Sequence, residues 1–121
     1  MQVIDVDQRR ARLGRRHGFA TRLVTPEAAA DSVVVLHATD PATIFLSVAA
    51  RTRAVGVGEI EDALFERRSM MRTLAMRRTL FVATRERLPA VEQSSSVAVA
   101  ASERRPLLKY LPTSGIADPE K

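Results

Sequence analysis

Met70 to Thr84 reads MMRTLAMRRTLFVAT. Methionine, leucine, phenylalanine and β-branched residues surround a central Arg77-Arg78, and the helical period of the preceding residues stops here. The pattern predicts two strands, about 70–75 and 79–83, joined by a tight basic tip.

Upstream of this hairpin the chain reads as helices. EIEDALFERR, residues 59–68, is a short helix with Ile60, Ala63 and Leu64 inward, and the glycines of AVGVG, residues 54–58, mark a turn before it. DPATIFLSVAARTR, residues 40–53, opens with Asp40 as N-cap and Pro41 at the first helical position. Ile44, Phe45, Val48, Ala49 and Thr52 then make a broad core face. TPEAAADSVVVLHA, residues 25–38, repeats the device with Thr25, Pro26 and Glu27, and reads as a helix burying Ala29, Val33 and Leu36. DVDQRRARLGRRH, residues 5–17, is a first helix capped by Asp5 or Asp7 and ended by Gly18. Val6 and Leu13 give it a thin apolar stripe. Arg9, Arg12 and Arg16 share another face, where like charges repel unless an anion lies across them.

Downstream, RERLPAVEQSSSVAVAASERRPLLKYL, residues 85–111, reads as helical. Pro89 falls in the first turn, Pro106 should break or bend the helix, and Ala90, Ser94, Ala98 and Ala101 are the expected inward residues. Helices joined by a glycine turn and followed by a basic hairpin have the layout of a winged helix-turn-helix. The expected fold class is therefore mainly α with a small β-hairpin, an α+β winged helix.

Composition narrows the function. A chain of 121 residues suits one domain. It has no cysteine and only His17 and His37, which argues against disulfides, thiolate metal sites and structural zinc. No apolar run reaches the ~20 residues of a membrane span. MQVIDVDQRR at the start lacks the apolar core of a signal peptide, so a cytoplasmic protein is expected. Aromatic residues are 4% with no tryptophan, which argues against a stacking platform for single strands.

The net charge of +5 is unevenly spread. Residues 1–24 hold six arginines and two acids, residues 25–66 two arginines and seven acids, and residues 67–105 nine arginines and three acids. Two basic blocks around an acidic one fit either a polyanion-binding patch or an ordinary solvated surface.

Four stretches carry a family resemblance: RRARLGRRHGF (9–19), LHATDPATIFLSVAAR (36–51), IEDALFERRSMMRTLAMRRTLF (60–81) and GIAD (115–118). Together they resemble the N-terminal part of the winged helix DNA-binding domain family that includes the AlkZ/YcaQ-type DNA glycosylases. The family's proteins are considerably longer, with several winged helices and a small β-barrel. The end PTSGIADPEK agrees with that, since Asp118-Pro119-Glu120 is a third cap-plus-proline helix start with no helix after it. Residues 1–121 are accordingly expected to be a single N-terminal winged-helix domain of a longer multi-domain protein, inactive alone. The resemblance leaves open whether the whole protein is a glycosylase. It implies no cofactor, and double-stranded DNA and the remaining domains of the same chain as partners.

The departures from the family locate the candidate site. Glycosylase members carry Gln-x-Gln where this chain has His37-Ala38-Thr39, and their Arg-Gly-Thr-Leu-His hairpin stands here as Arg77-Arg78-Thr79-Leu80-Phe81. Hydrolysis of an N-glycosidic bond needs a held water and polar groups beside an oxocarbenium-like sugar. His37 and Thr39 are the catalytic candidates by position: His37 as acceptor or general base and Thr39 as water holder, with Asp40 as an electrostatic partner. The structural alternative is favoured, with Asp40 occupied as a helix cap. The helix before the hairpin is acidic, through Glu59, Glu61, Asp62 and Glu66, which disfavours phosphate contact there. The DNA-binding candidates are Arg9, Arg12, Arg15 and Arg16 on the first helix and Arg77 and Arg78 at the tip. The competing reading is a protein-interaction module that docks further domains or forms a homodimer.

Overall fold

The computed structural model describes residues 3–115. Its elements are α1 (Val6–Arg16), α2 (Pro26–Asp31), β1 (Leu36–His37), α3 (Pro41–Arg51), α4 (Val57–Glu61), β2 (Met70–Leu74), β3 (Leu80–Thr84), α5 (Leu88–Val91) and α6 (Val97–Tyr110). A π-helical turn, Asp62–Glu66, extends α4, and a second, Glu92–Ser96, joins α5 to α6. The strands form one antiparallel sheet in the order β1-β3-β2. Helix, strand, two helices and a hairpin in this order make an α+β, winged-helix-like fold.

The helix caps lie where the sequence puts them. Asp5 accepts from Gln8 N at 2.7 Å, Thr25 from Ala28 N at 3.1 Å and Asp40 from Ala42 N at 2.9 Å. Gly56 caps α4, and Glu59 accepts from its N–H at 2.9 Å, one half of a capping box. The hairpin also forms as expected, shifted by one residue at its strand ends.

Strand β3 is central, so alternate residues of it face two different cores. Val82 joins Leu36, Ala38, Ile44, Val48, Ile60 and Met70 in the larger core, with α2, α3 and α4 packed on it. Ala83 joins Ala75 and Val91 in the smaller one, with Phe81 and Leu88 at its edge and α5 packed on it. A polar seam ties α2 to the sheet end: Thr84 Oγ1 donates to Asp31 at 2.9 Å, Arg87 lies 3.3 Å from the same carboxylate, and Ser69 and Arg67 both bond Glu27.

Four expectations need correction. The helix expected to run through Leu36 ends at Asp31. Val33-Val34-Val35 is a β-branched run that loses side-chain freedom in a helix, and the chain turns at Val34 (φ 72°) into a strand. Leu36 is buried as expected, but as a strand residue. On the C-terminal helix, Ala90, Ser94, Ala98 and Ala101 are exposed. The inward face carries Val91, Ser95 and Val99, because Thr73 Oγ1 meets Ser96 at 3.3 Å and Val91 enters the smaller core. Finally, α6 runs unbroken through Pro106, and Ala49 is exposed on α3. The expected helix start at Asp118-Pro119-Glu120 lies outside the described residues.

Val34 is a half-exposed β-branched residue in left-handed backbone, a conformation that costs an L-residue about 1–2 kcal/mol. Val34→Gly is expected to raise stability by up to about 1 kcal/mol, the relief being partly offset by glycine's extra unfolded-state entropy. Urea denaturation of both proteins checks this, and a loss of stability would mean that the Val34 side chain contributes more than its backbone costs.

Candidate nucleic-acid interface

His37, Ala38 and Thr39 continue edge strand β1 toward α3. Ala38 N donates to Leu80 O at 2.8 Å, which extends the ladder by one residue. Alternation then sends Ala38 into the larger core with no exposure and leaves His37 and Thr39 together on the opposite, exposed side. His37 Nε2 stands 3.4 Å from Thr39 Oγ1, at the outer limit of a hydrogen bond. The His37 ring meets the edge of Phe81, its partner across the sheet, with centroids 5.4 Å apart and planes at 86°. The other face of the corner is held from within the sheet: Arg72 Nη2 donates to Ala38 O at 3.1 Å. Asp40 is occupied as the α3 cap.

The corner therefore presents one imidazole and one hydroxyl on a well-braced backbone. Its carboxylate is aimed at helix N–H groups and away from solvent chemistry. One weak hydrogen bond links the two candidate residues, and an aromatic edge occupies one side of the imidazole. This arrangement can bind a polar group.

The hairpin tip belongs to the same region. The β1–β3 register, Leu36 with Val82 and His37 with Phe81, brings the root of the hairpin level with Ala38 and Thr39. Met76–Arg78 forms a tight turn in which Arg77 and Arg78 both have φ 57°. Both arginines are exposed. Arg78 Nε lies 2.8 Å from Glu103 on α6, while Arg77 has no carboxylate partner among the described residues. Two consecutive left-handed residues give the turn the hand that matches strand twist, which is why glycine or asparagine is the usual occupant. Position 78 is where the resembled family carries glycine.

The arginines of α1 are placed differently. The helix has no buried residue, and Arg9, Arg12, Arg15 and Arg16 are all exposed. The chain after it is pinned to the C-terminal end of α3, with Leu23 bridging Thr52 and Phe19 lying 4.8 Å under the Arg51 guanidinium. The His-Ala-Thr corner is at the N-terminal end of α3, which is about 16 Å away along an eleven-residue helix. Gly18 makes the turn at φ 74°, and a Cβ there would fall 2.7 Å from Leu23 Cδ1.

The acidic helix is less uniformly acidic in space than in sequence. Asp62 pairs with Arg67, which also reaches Glu27 at 2.8 Å. Burial raises the Glu27 carboxyl, but hydrogen bonds from Ser69, its own backbone and Arg67 outweigh that and hold it below its ordinary value. Arg67 is raised, by its bond to Asp62 first and to Glu27 second. Glu59, Glu61 and Glu66 remain exposed on α4 and its extension, and they set the negative potential of that face.

Sequence reasoning missed Arg72 and Phe81 as parts of the corner. Both depend on strand register, and the sequence of β1 reads as helix. The β-branched run before it was the available signal. Residues 30–119 match the protein family described as DNA glycosylase AlkZ-like. The match includes the corner and the hairpin and excludes α1. No curated protein and no solved structure matches the chain.

Arg78→Gly separates the turn from its charge. It relieves left-handed backbone worth about 1–2 kcal/mol and loses an exposed ion pair worth at most about 1 kcal/mol. The variant is expected to melt at the same temperature as the parent or slightly higher, by circular dichroism. Marked destabilisation would mean that the Arg78–Glu103 contact anchors the hairpin.

Proposed function

The chain belongs to the AlkZ-like DNA glycosylase family, and on that premise we propose that it is the DNA-binding, winged-helix module of a base-excision-repair protein. In this reading residues 1–121 work with further domains of a longer cytoplasmic protein, and the module holds duplex DNA mainly through arginine. The observation that carries the reading is the hairpin tip. Two exposed guanidiniums sit on a tight, left-handed turn beside the position of the family's Gln-x-Gln loop. Arginine forks on a protruding turn suit phosphates and the narrow minor groove. Exposed Arg9, Arg12, Arg15 and Arg16 on α1 provide a second cationic surface. The acid-lined α4 is a poor reader of the major groove, so binding should be insensitive to sequence.

Within this proposal His37 and Thr39 line the site without driving the chemistry. Their mutual contact is marginal, and the nearest carboxylate, Asp40, is a cap. A docking module is the other reading. Val57 and Phe65, both well exposed on acidic α4 and its extension, favour it. Affinity for DNA at low salt separates the two.

Fluorescence anisotropy with unrelated duplexes should give weak binding of similar affinity to each. That affinity should fall by orders of magnitude between roughly 50 and 200 mM salt. Arg77→Ala with Arg78→Ala should weaken it further and change stability by less than about 0.5 kcal/mol, since alanine tolerates left-handed backbone no worse than arginine. Absence of binding at low salt would remove the DNA reading of this module.

In the longer protein, His37→Ala should change base release from methylated DNA only modestly. Asp40→Ala should cost about 1 kcal/mol of stability through the lost cap. Loss of a general base would instead cost about 100-fold or more in rate. A His37→Ala protein with an unchanged melting temperature and no base release would assign the histidine the water-activating role.

A further inference from the structure

A cavity of about 310 Å³ opens on the side of the sheet away from His37 and Phe81. It lies between the first turns of α3, the π-helical turn after α4, and β2. Ile44 and Met70, both fully buried, form its floor, and Phe45, Leu64 and Phe65 form its walls. Arg68 and Arg72 stand in the lining as its only charged residues. Neither has a carboxylate partner among the described residues. Arg72 uses one nitrogen on Ala38 O, and Arg68 makes only a long 3.4 Å contact to Phe65 O. Most of their N–H groups are free for a ligand.

Two features mark the cavity as more than a packing gap. Phe65 keeps 64% of its surface in water at the mouth, a large exposed ring with no aromatic partner among the described residues. Arg68 is held at φ 50°, a costly conformation for a non-glycine residue, at the junction of a π-helical turn and a strand. Strained backbone and π-helical turns both concentrate where a side chain must be aimed.

We propose that this cavity binds a small planar aromatic anion, its ring between Phe45 and Phe65 and its acid group on Arg68 and Arg72. The chemistry is complementary at each end. An apolar floor and two phenyl rings accept a flat ring system. Two guanidiniums accept a carboxylate or phosphate through paired N–H groups, which a neutral ring cannot use. The volume is at the lower end of that of ligand pockets, which suits a single ring system. Because Arg72 also holds the Ala38 carbonyl, the occupant would share a residue with the His-Ala-Thr corner. The inference is independent of DNA binding.

The test is an NMR titration of the isotope-labelled protein with indole-3-acetate, adenosine monophosphate and uncharged indole, supported by calorimetry. At least one anion should shift the amides of Phe45, Phe65, Arg68 and Arg72 saturably, and indole should bind at least about tenfold more weakly, one ordinary increment of charge-assisted bonding. The carboxylate and nucleotide arms identify which source of the anion fits. Arg68→Gly keeps the left-handed backbone at no steric cost, so it should fold and lose the anion preference. Arg104→Ala, on exposed α6, should bind as the parent does. Equal binding of indole and the anions, undiminished binding by a folded Arg68→Gly protein, or no saturable shift with any of the three would overturn the proposal.

Discussion

The structure depends on strand β3 being bonded on both edges and packed on both faces. All five residues, Leu80 to Thr84, pair with β2, and Phe81 and Val82 pair with β1 on the other side as well. Each residue is thereby fixed to one face, because a slip of one position would exchange the two cores. Val82 at the centre is fully buried between Leu36 and Arg72, and Ala83 beside it is fully buried against α5. Along LFVAT, Leu80 and Val82 therefore pack in the larger core and Phe81 and Ala83 in the smaller one.

That constraint explains what could be read from the sequence. Caps are local: Thr25, Asp40 and Asp5 act on backbone within three residues, and the hairpin signal lies in one continuous stretch. These were legible. Strand β1 is two residues long and exists only because β3 offers it an edge, so no periodicity announces it. The face buried by the C-terminal helix was misread for a related reason. Its residues are mostly small and polar, and only the contacts of Val91 with Ala83 and Ser96 with Thr73 decide its rotation. The candidate corner was half legible. The residues at the family's motif position were visible, but not their neighbours across the sheet, Phe81 and Arg72.

The same alternation gives the corner its form. In a three-residue motif on a strand, the first and third side chains share a face and the middle one points away. Here the middle residue must be small, since Ala38 is fully buried against the larger core. The motif is thus two exposed positions carried on one packing position. Its outward pair can vary between amides and the imidazole–hydroxyl pair without disturbing the fold, whereas a larger residue at position 38 would overpack the core. Chemical divergence at this corner is structurally cheap, which is why family membership fixes the scaffold more firmly than the reaction.

Charge is divided by a similar logic. The acidic middle block of the sequence does not form one acidic surface, because Glu27, Asp31 and Asp62 turn toward Arg67, Arg87, Ser69 and Thr84 and tie α2 and α4 to the sheet end. Glu59, Glu61 and Glu66 stay outward on α4 and its extension, and Asp40 stays exposed at the α3 cap. The arginines divide in the same way: Arg67 and Arg87 are drawn into the seam, whereas among the described residues Arg77 and the α1 arginines face solvent with no carboxylate partner beyond the exposed Arg10–Asp7 contact. Fields of opposite sign on separate surfaces are screened over about 8–10 Å at physiological salt. A phosphate backbone approaching the tip would therefore feel the nearby guanidiniums strongly. It would feel the glutamates of α4 mainly if it came to lie along that helix. Were a phosphate backbone to approach, this charge pattern would favour the tip over the α4 helix without any change in the net charge of the chain.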